Sequence, residues 1–143
     1  MAEVILSNRM QALTDMVTPG TVITDVGCDH GFVSVYLVQK GISPRVIAMD
    51  VRSGPLEHAR EHIREYGLED RIETRLSDGL HSLKTGEAAG MICAGMGGPL
   101  MEKILTEGRE QAKEFRELIL QPQSEIPHFR AFLMEEGYLL MDE

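Results

Sequence analysis

Thr21-Val22-Ile23-Thr24-Asp25-Val26-Gly27-Cys28-Asp29-His30-Gly31 is the stretch that decides the fold. Its first six residues are short, β-branched and apolar, as in a strand buried on both faces of a parallel sheet. Gly27 to Gly31 form a turn in which two glycines let the backbone bend sharply and approach a ligand closely. Residues 32–39 run apolar from Phe32 to Gln39. Their β-branched content is high for a helix, yet a helix is expected there, because the next parallel strand needs a crossover before it. That strand is Arg45-Val46-Ile47-Ala48-Met49-Asp50.

Outward from this unit the pattern repeats. Val4, Leu6, Met10, Leu13 and Val17 predict an amphipathic helix over residues 3–16, stopped by Pro19-Gly20. Ser53-Gly54-Pro55 opens a helix whose apolar face is Leu56, Ala59, Ile63 and Tyr66, and Gly67 ends it. Residues 71–76 alternate like a strand, 90–94 form a fourth, and Pro99 starts a helix through Leu105. Residues 117–122 are a fifth strand, and Ile126, Phe129, Phe132 and Leu133 mark a last helix closed by Gly137. Tyr138-Leu139-Leu140-Met141 is expected to begin a sixth strand. This order is that of a doubly wound α/β sheet, with the ligand over the carboxyl ends of the strands.

The chain has 143 residues, 43% apolar and 26% charged, enough for one domain with a real core. No apolar run approaches the ~20 residues of a membrane helix, and no secretion signal is read at the N-terminus. Two cysteines, Cys28 and Cys93, are too few for a disulfide scaffold and read as small buried residues. The expected location is the cytoplasm. The net charge of −9 argues against binding nucleic acid through the overall field.

The strand tips carry the chemistry. The dinucleotide signature G-x-G-x-x-G is absent, because Asp29 stands where a second glycine would. A carboxylate there would repel a pyrophosphate on the helix N-terminus. It suits a cofactor carrying an amine and positive charge, and S-adenosylmethionine has both. Asp50 at the second tip, followed by Val51, can accept both ribose hydroxyls of an adenosine. Ser77-Asp78-Gly79 at the third can meet an adenine, Asp78 through the exocyclic amine. Acids also cap helices and end strands for purely structural reasons.

Asp25–Gly31, Asp50, Ser77-Asp78-Gly79-Leu80, Ala94-Gly95-Met96-Gly97-Gly98 and Leu118-Ile119-Leu120-Gln121-Pro122 together resemble the bacterial tRNA adenine-N1 methyltransferases that modify position 22. Leu6-Ser7-Asn8-Arg9-Met10 also fits that family's Leu-Ser-x-Arg-Leu opening. The likeness spans essentially the whole chain. The family's first turn usually reads Asp-Ile-Gly-Ser-Asp-His-Ala, so Cys28 and Gly31 are small-for-small departures. The resemblance implies a Rossmann-like class I methyltransferase domain, mostly parallel and truncated before its seventh strand, without the family's C-terminal helical domain. It implies S-adenosylmethionine as cofactor, no metal, and tRNA as substrate, with basic contacts to the tRNA supplied by the absent part.

On that reading the cofactor residues are Asp25, Gly27, Cys28, His30, Gly31, Asp50, Val51, Ser77, Asp78, Gly79 and Gly95. Asp29, Met96 and Gln121 face the reaction, and Arg9, Gly97, Gly98 and Pro122 the substrate. Several roles stay open. Asp29 either steadies the cationic methylated base or contacts the methionine ammonium. The glycines at 95–98 either admit a flat ring or only make a tight turn before the Pro99 helix. Arg9 reaches a phosphate or the cofactor carboxylate, or is a solvated surface residue. His30 contacts a ligand or braces its turn.

His58-Ala59-Arg60-Glu61-His62 matches a zinc pattern. The pair is expected beside the apolar stripe of a crossover helix, away from the strand tips and without a third ligand. Arg60, Arg64, Arg71 and Arg75 interleave with acids and read as a solvated mixed-charge face. Two other readings remain: methylation of a small molecule on the same platform, and a non-catalytic nucleotide-binding module. Oligomeric state is not legible.

Overall fold

The computed structural model describes residues 3–143. Five strands, β1 (Ile23–Val26), β2 (Val46–Asp50), β3 (Ile72–Leu76), β4 (Gly90–Met96) and β5 (Glu117–Pro122), form one sheet in the order β3-β2-β1-β4-β5. Every neighbouring pair is parallel. The central strands β1 and β2 are buried at every position, which explains their largely apolar and β-branched make-up.

Among the described residues six helices cover the two faces. α1 (Asn8–Asp15), α2 (Phe32–Gln39) and α3 (Ser53–Glu65) share one core, with Leu13, Val35, Leu37, Leu56, Ala59 and Ile63 against the sheet. α4 (Gly98–Glu107), α5 (Arg109–Lys113) and α6 (Ile126–Glu135) build the other, around Met101, Leu105, Ala112, Phe129 and Leu133. The order of strands reverses between β1 and β4, so the ligand crevice of such a sheet lies at their carboxyl ends. The 77–89 connection is pinned by Arg75, whose guanidinium meets both oxygens of Glu87 at 2.8 and 2.6 Å and the Ser82 carbonyl at 2.8 Å.

Two expectations are corrected. The first helix starts at Asn8 rather than residue 3, because Ser7 caps it by accepting the Met10 N–H at 3.3 Å; Val4 is buried ahead of the helix. Residues 138–143 form no strand. The Tyr138 N–H donates back to the Leu133 carbonyl of α6 at 2.9 Å rather than to a strand, and Leu139 and Met141 are 79% and 82% exposed, while Lys113 covers the Tyr138 ring. The short α5, five residues with three charges, has too few apolar positions to show a period.

Candidate active site

The loop after β1 is held in an unusual backbone conformation. Gly27, Asp29 and Gly31 have φ of 76°, 52° and 80°. Asp29 is the non-glycine of the three, and the left-handed region costs a side chain roughly 1–2 kcal/mol, least for short polar ones. Such strain persists only where the surroundings fix it, and it gathers at functional sites. Here the N–H groups of Gly27 and Cys28 both donate to the Met49 carbonyl, at 2.8 and 2.9 Å. The Asp29 N–H donates to Oδ2 of Asp50 at 3.0 Å.

Asp50 is 2% exposed. Its other oxygen accepts the Arg52 N–H at 2.9 Å and Arg52 Nε at 3.3 Å. The Arg52 guanidinium also stands 3.8 Å from Asp29, so one exposed cation spans both acids. Asp25 lies beneath them, 5% exposed, accepting from Ser34 Oγ of α2 at 2.8 Å. Burial pushes its carboxyl up to about 6; the Ser34 bond opposes this, and the charges of Asp50 and Asp29 add to it. The first two strand tips thus bring Asp25, Asp29 and Asp50 together.

The third tip adjoins them through its backbone, Ser77 N–H donating to the Asp50 carbonyl at 2.9 Å. Ser77 is buried, its hydroxyl bonded to the Gly79 carbonyl at 2.9 Å. Asp78 is exposed and lines a shallow surface depression with Gly79, His81, Leu100, Lys103 and Glu107. The ligand atoms of Asp78, His81 and Glu107 lie within 4.8 Å of one another. Val51 is 59% exposed beside this tip.

At the crevice Met96 reaches over β1: a Cβ on Gly27 would fall 2.5 Å from Met96 Cε. A bulge between Ala94 and Met96 frees the Gly95 N–H, which donates to Gln121 Oε1 at 3.2 Å. Arg9 Nη1 donates to the same oxygen at 3.1 Å. Pro122 ends β5 opposite Met96. Gly97 and Gly98 also meet the loop after β5 closely: added Cβ atoms would lie 2.9 Å from Ser124 Oγ and 2.5 Å from the Ser124 carbonyl oxygen. They seat the loop after β4 against the loop after β5.

The histidine pair is not remote from the tips, and this expectation is corrected. α3 begins three residues after β2 ends, so its first turns overlie the β1 loop. A Cβ on Gly31 would be 3.0 Å from that of Ala59. His58 and His62 therefore stand beside His30, ring centroids 5.1 and 5.9 Å apart, and His62 Nδ1 donates to the His30 carbonyl at 2.8 Å. Among the described residues these rings do not converge as a ligand set. Both thiols are buried, and burial pushes Cys93 up to about 12 and Cys28 further, which holds both in the thiol form. Arg52 and Ser34 were not foreseen; an Arg two residues past a strand end carries no signal separating it from a surface charge.

A family model described as a methyltransferase domain matches residues 6–143. The chain is similar to the tRNA (adenine(22)-N(1))-methyltransferase of Bacillus subtilis, 36% identical over all of this chain and 60% of that protein. The crystal structure of the Bacillus subtilis tRNA methyltransferase TrmK superposes with a TM-score of 0.93, covering 98% of this chain and 60% of that one. A putative tRNA methyltransferase of Streptococcus pneumoniae, solved in complex with S-adenosyl-L-methionine, gives 0.93 at 32% identity, covering 96% and 65%. The chain spans between half and two-thirds of the length of these relatives.

Proposed function

The chain belongs to the methyltransferase-domain family, and from that premise we propose that it transfers a methyl group from S-adenosylmethionine to N1 of the adenine at position 22 of tRNA. The observation that carries this reading is the contact between two strand tips, Asp29 held left-handed on the Asp50 carboxylate beside the β1–β4 crevice. The likeness to the Bacillus subtilis enzyme over the whole chain selects the substrate.

The residues fit the cofactor. Three acids concentrate negative charge where a sulfonium and an ammonium would lie, and Oδ2 of Asp50, which accepts the Asp29 N–H, keeps a second lone pair for a ribose hydroxyl. S-adenosylmethionine would supply an electrophilic methyl: as the lone pair of adenine N1 forms the new N–C bond, the S–C bond would break, leaving neutral S-adenosylhomocysteine and a cationic base. Asp50 holds the ribose, and Asp78 accepts from the adenine amine of the cofactor. The turn from Gly27 to Gly31 lines the methionine portion. Asp29 places a carboxylate near the reacting centre, where it offsets the charge that develops on the base. Met96 shapes the slot against Gly27, with Gln121 and Pro122 as its far wall. Because N1 lies on the Watson–Crick edge, the target must be unpaired or extruded first.

The test is labelled S-adenosylmethionine with unmodified tRNA, followed by reverse transcription. The expected result is label in RNA and a stop at position 22 that disappears when that adenine is replaced. Label in small molecules but not tRNA favours the other substrate class. No thermal shift with S-adenosylhomocysteine removes the methyltransferase reading altogether.

A further inference from the structure

Arg9 and Gln121 are 112 residues apart, on α1 and β5, yet their side chains meet at 3.1 Å. Ser7 fixes the start of α1 and so places Arg9 in its first turn. The same Gln121 oxygen takes the N–H of bulged Gly95 at 3.2 Å. A guanidinium and a backbone N–H are both pure donors, so only the oxygen of the amide can face them. Both lone pairs of Oε1 are then used. The amide NH2 has no hydrogen-bond partner among the described residues.

We infer that Arg9 is a positioning residue, which fixes Gln121 as a donor-only group at the slot between the ends of β4 and β5. Gln121 then donates to a ring nitrogen of the target base and cannot accept from its exocyclic amine. N1 must keep its lone pair free to react, so the acceptor is N3 or N7. This inference rests on the proposed methylation of adenine in tRNA.

The experiment uses the intact protein and tRNA carrying adenine, 3-deazaadenine or 7-deazaadenine at position 22. Gln121→Glu keeps an acceptor for Arg9 and Gly95 but has no N–H. Its melting temperature and affinity for S-adenosylhomocysteine should hold, while kcat/KM for tRNA falls about tenfold, the worth of one hydrogen bond. One deaza substitution should slow the wild type by a similar factor and have no further effect on Gln121→Glu. Arg9→Ala should raise KM for tRNA about threefold to fivefold, a fraction of that same bond, and Arg9→Lys should recover part of it.

Full kcat/KM in Gln121→Glu would overturn the inference and reduce the pair to a tie between α1 and the sheet. So would a deaza effect undiminished in that variant, or an Arg9→Ala loss that tracks cofactor affinity. A wild type that leaves the adenine at position 22 unmethylated is a separate result, which removes the proposed function itself.

Discussion

The backbone N–H of Asp29 lies 3.0 Å from Oδ2 of Asp50, joining the tips of β1 and β2 through a left-handed aspartate. The contact uses the main chain of Asp29 and leaves its carboxylate 56% exposed. Main-chain geometry and side-chain charge can therefore be separated. Asp29→Gly keeps the N–H and relieves the left-handed strain, whereas Asp29→Ala keeps the strain and adds about 1 kcal/mol to it. We expect Asp29→Gly to melt at or above the wild-type temperature, to bind S-adenosylhomocysteine normally, and to lose about a hundredfold in kcat, the scale of a removed charge-stabilising group. Calorimetric titration and single-turnover rates check this; matched losses of affinity and rate would assign the carboxylate to the methionine ammonium.

Arg52 covers the same two acids from solvent, 3.3 Å from Asp50 and 3.8 Å from Asp29. Its guanidinium competes with ribose hydroxyls for Asp50 and repels a sulfonium. It is 63% exposed, so the effect is small. Arg52→Ala should tighten S-adenosylmethionine about twofold to fivefold, in keeping with exposed ion pairs of roughly 0.2–1 kcal/mol. The neutral product S-adenosylhomocysteine should gain less, and added salt should shrink the difference. Weaker binding of both would mean that Arg52 holds the cofactor instead.

The strands were legible because β1, β2, β4 and β5 are short, largely apolar runs stopped by Gly, Pro or Asp and β3 alternates, and β5 spans the expected residues, Glu117–Pro122. Topology settled α2: its β-branched residues argue for a strand, yet a parallel β1–β2 pair requires the crossover that Phe32–Gln39 supplies. What local pattern could not carry was pairing across the chain. Tyr138–Met141 has the composition of a strand and no ladder to join. His58 and His62 meet His30 only because α3 starts directly over the β1 loop. Ser124 against Gly97 and Gly98 is equally nonlocal, a contact that no local pattern signals.

Asp25 sets a pH dependence of stability. Its carboxyl rises from an ordinary 3.8 to about 6, chiefly through burial. The folded state therefore binds more protons than the unfolded state between those values. Stability from protonated Asp25 is full below 3.8 and is lost as pH rises toward 6. Asp25→Asn keeps an acceptor for Ser34 and cannot ionise. Urea unfolding of both proteins from pH 4 to 7 should show the variant gaining on the wild type as pH rises, levelling above 6.5 or so, where Asp25 is ionised. A difference that stays flat across the range would mean that Asp25 has an ordinary carboxyl.

Gly97 and Gly98 separate two kinds of close approach. A Cβ at 98 would meet the Ser124 carbonyl oxygen at 2.5 Å, and that oxygen is backbone that also accepts the Gly98 N–H at 3.1 Å. A Cβ at 97 would meet Ser124 Oγ at 2.9 Å, and that hydroxyl can rotate away at the loss of its 3.3 Å bond from the Gly98 N–H. Gly98→Ala should therefore cost about 1–3 kcal/mol as an overpacked site, and part the loops after β4 and β5. Gly97→Ala should cost well under half of that, and less still in a Ser124→Ala background. Denaturant melts of the three variants check the order, which follows from backbone against side chain rather than from space alone. Equal costs at 97 and 98 would mean that the Ser124 loop moves as readily as its hydroxyl.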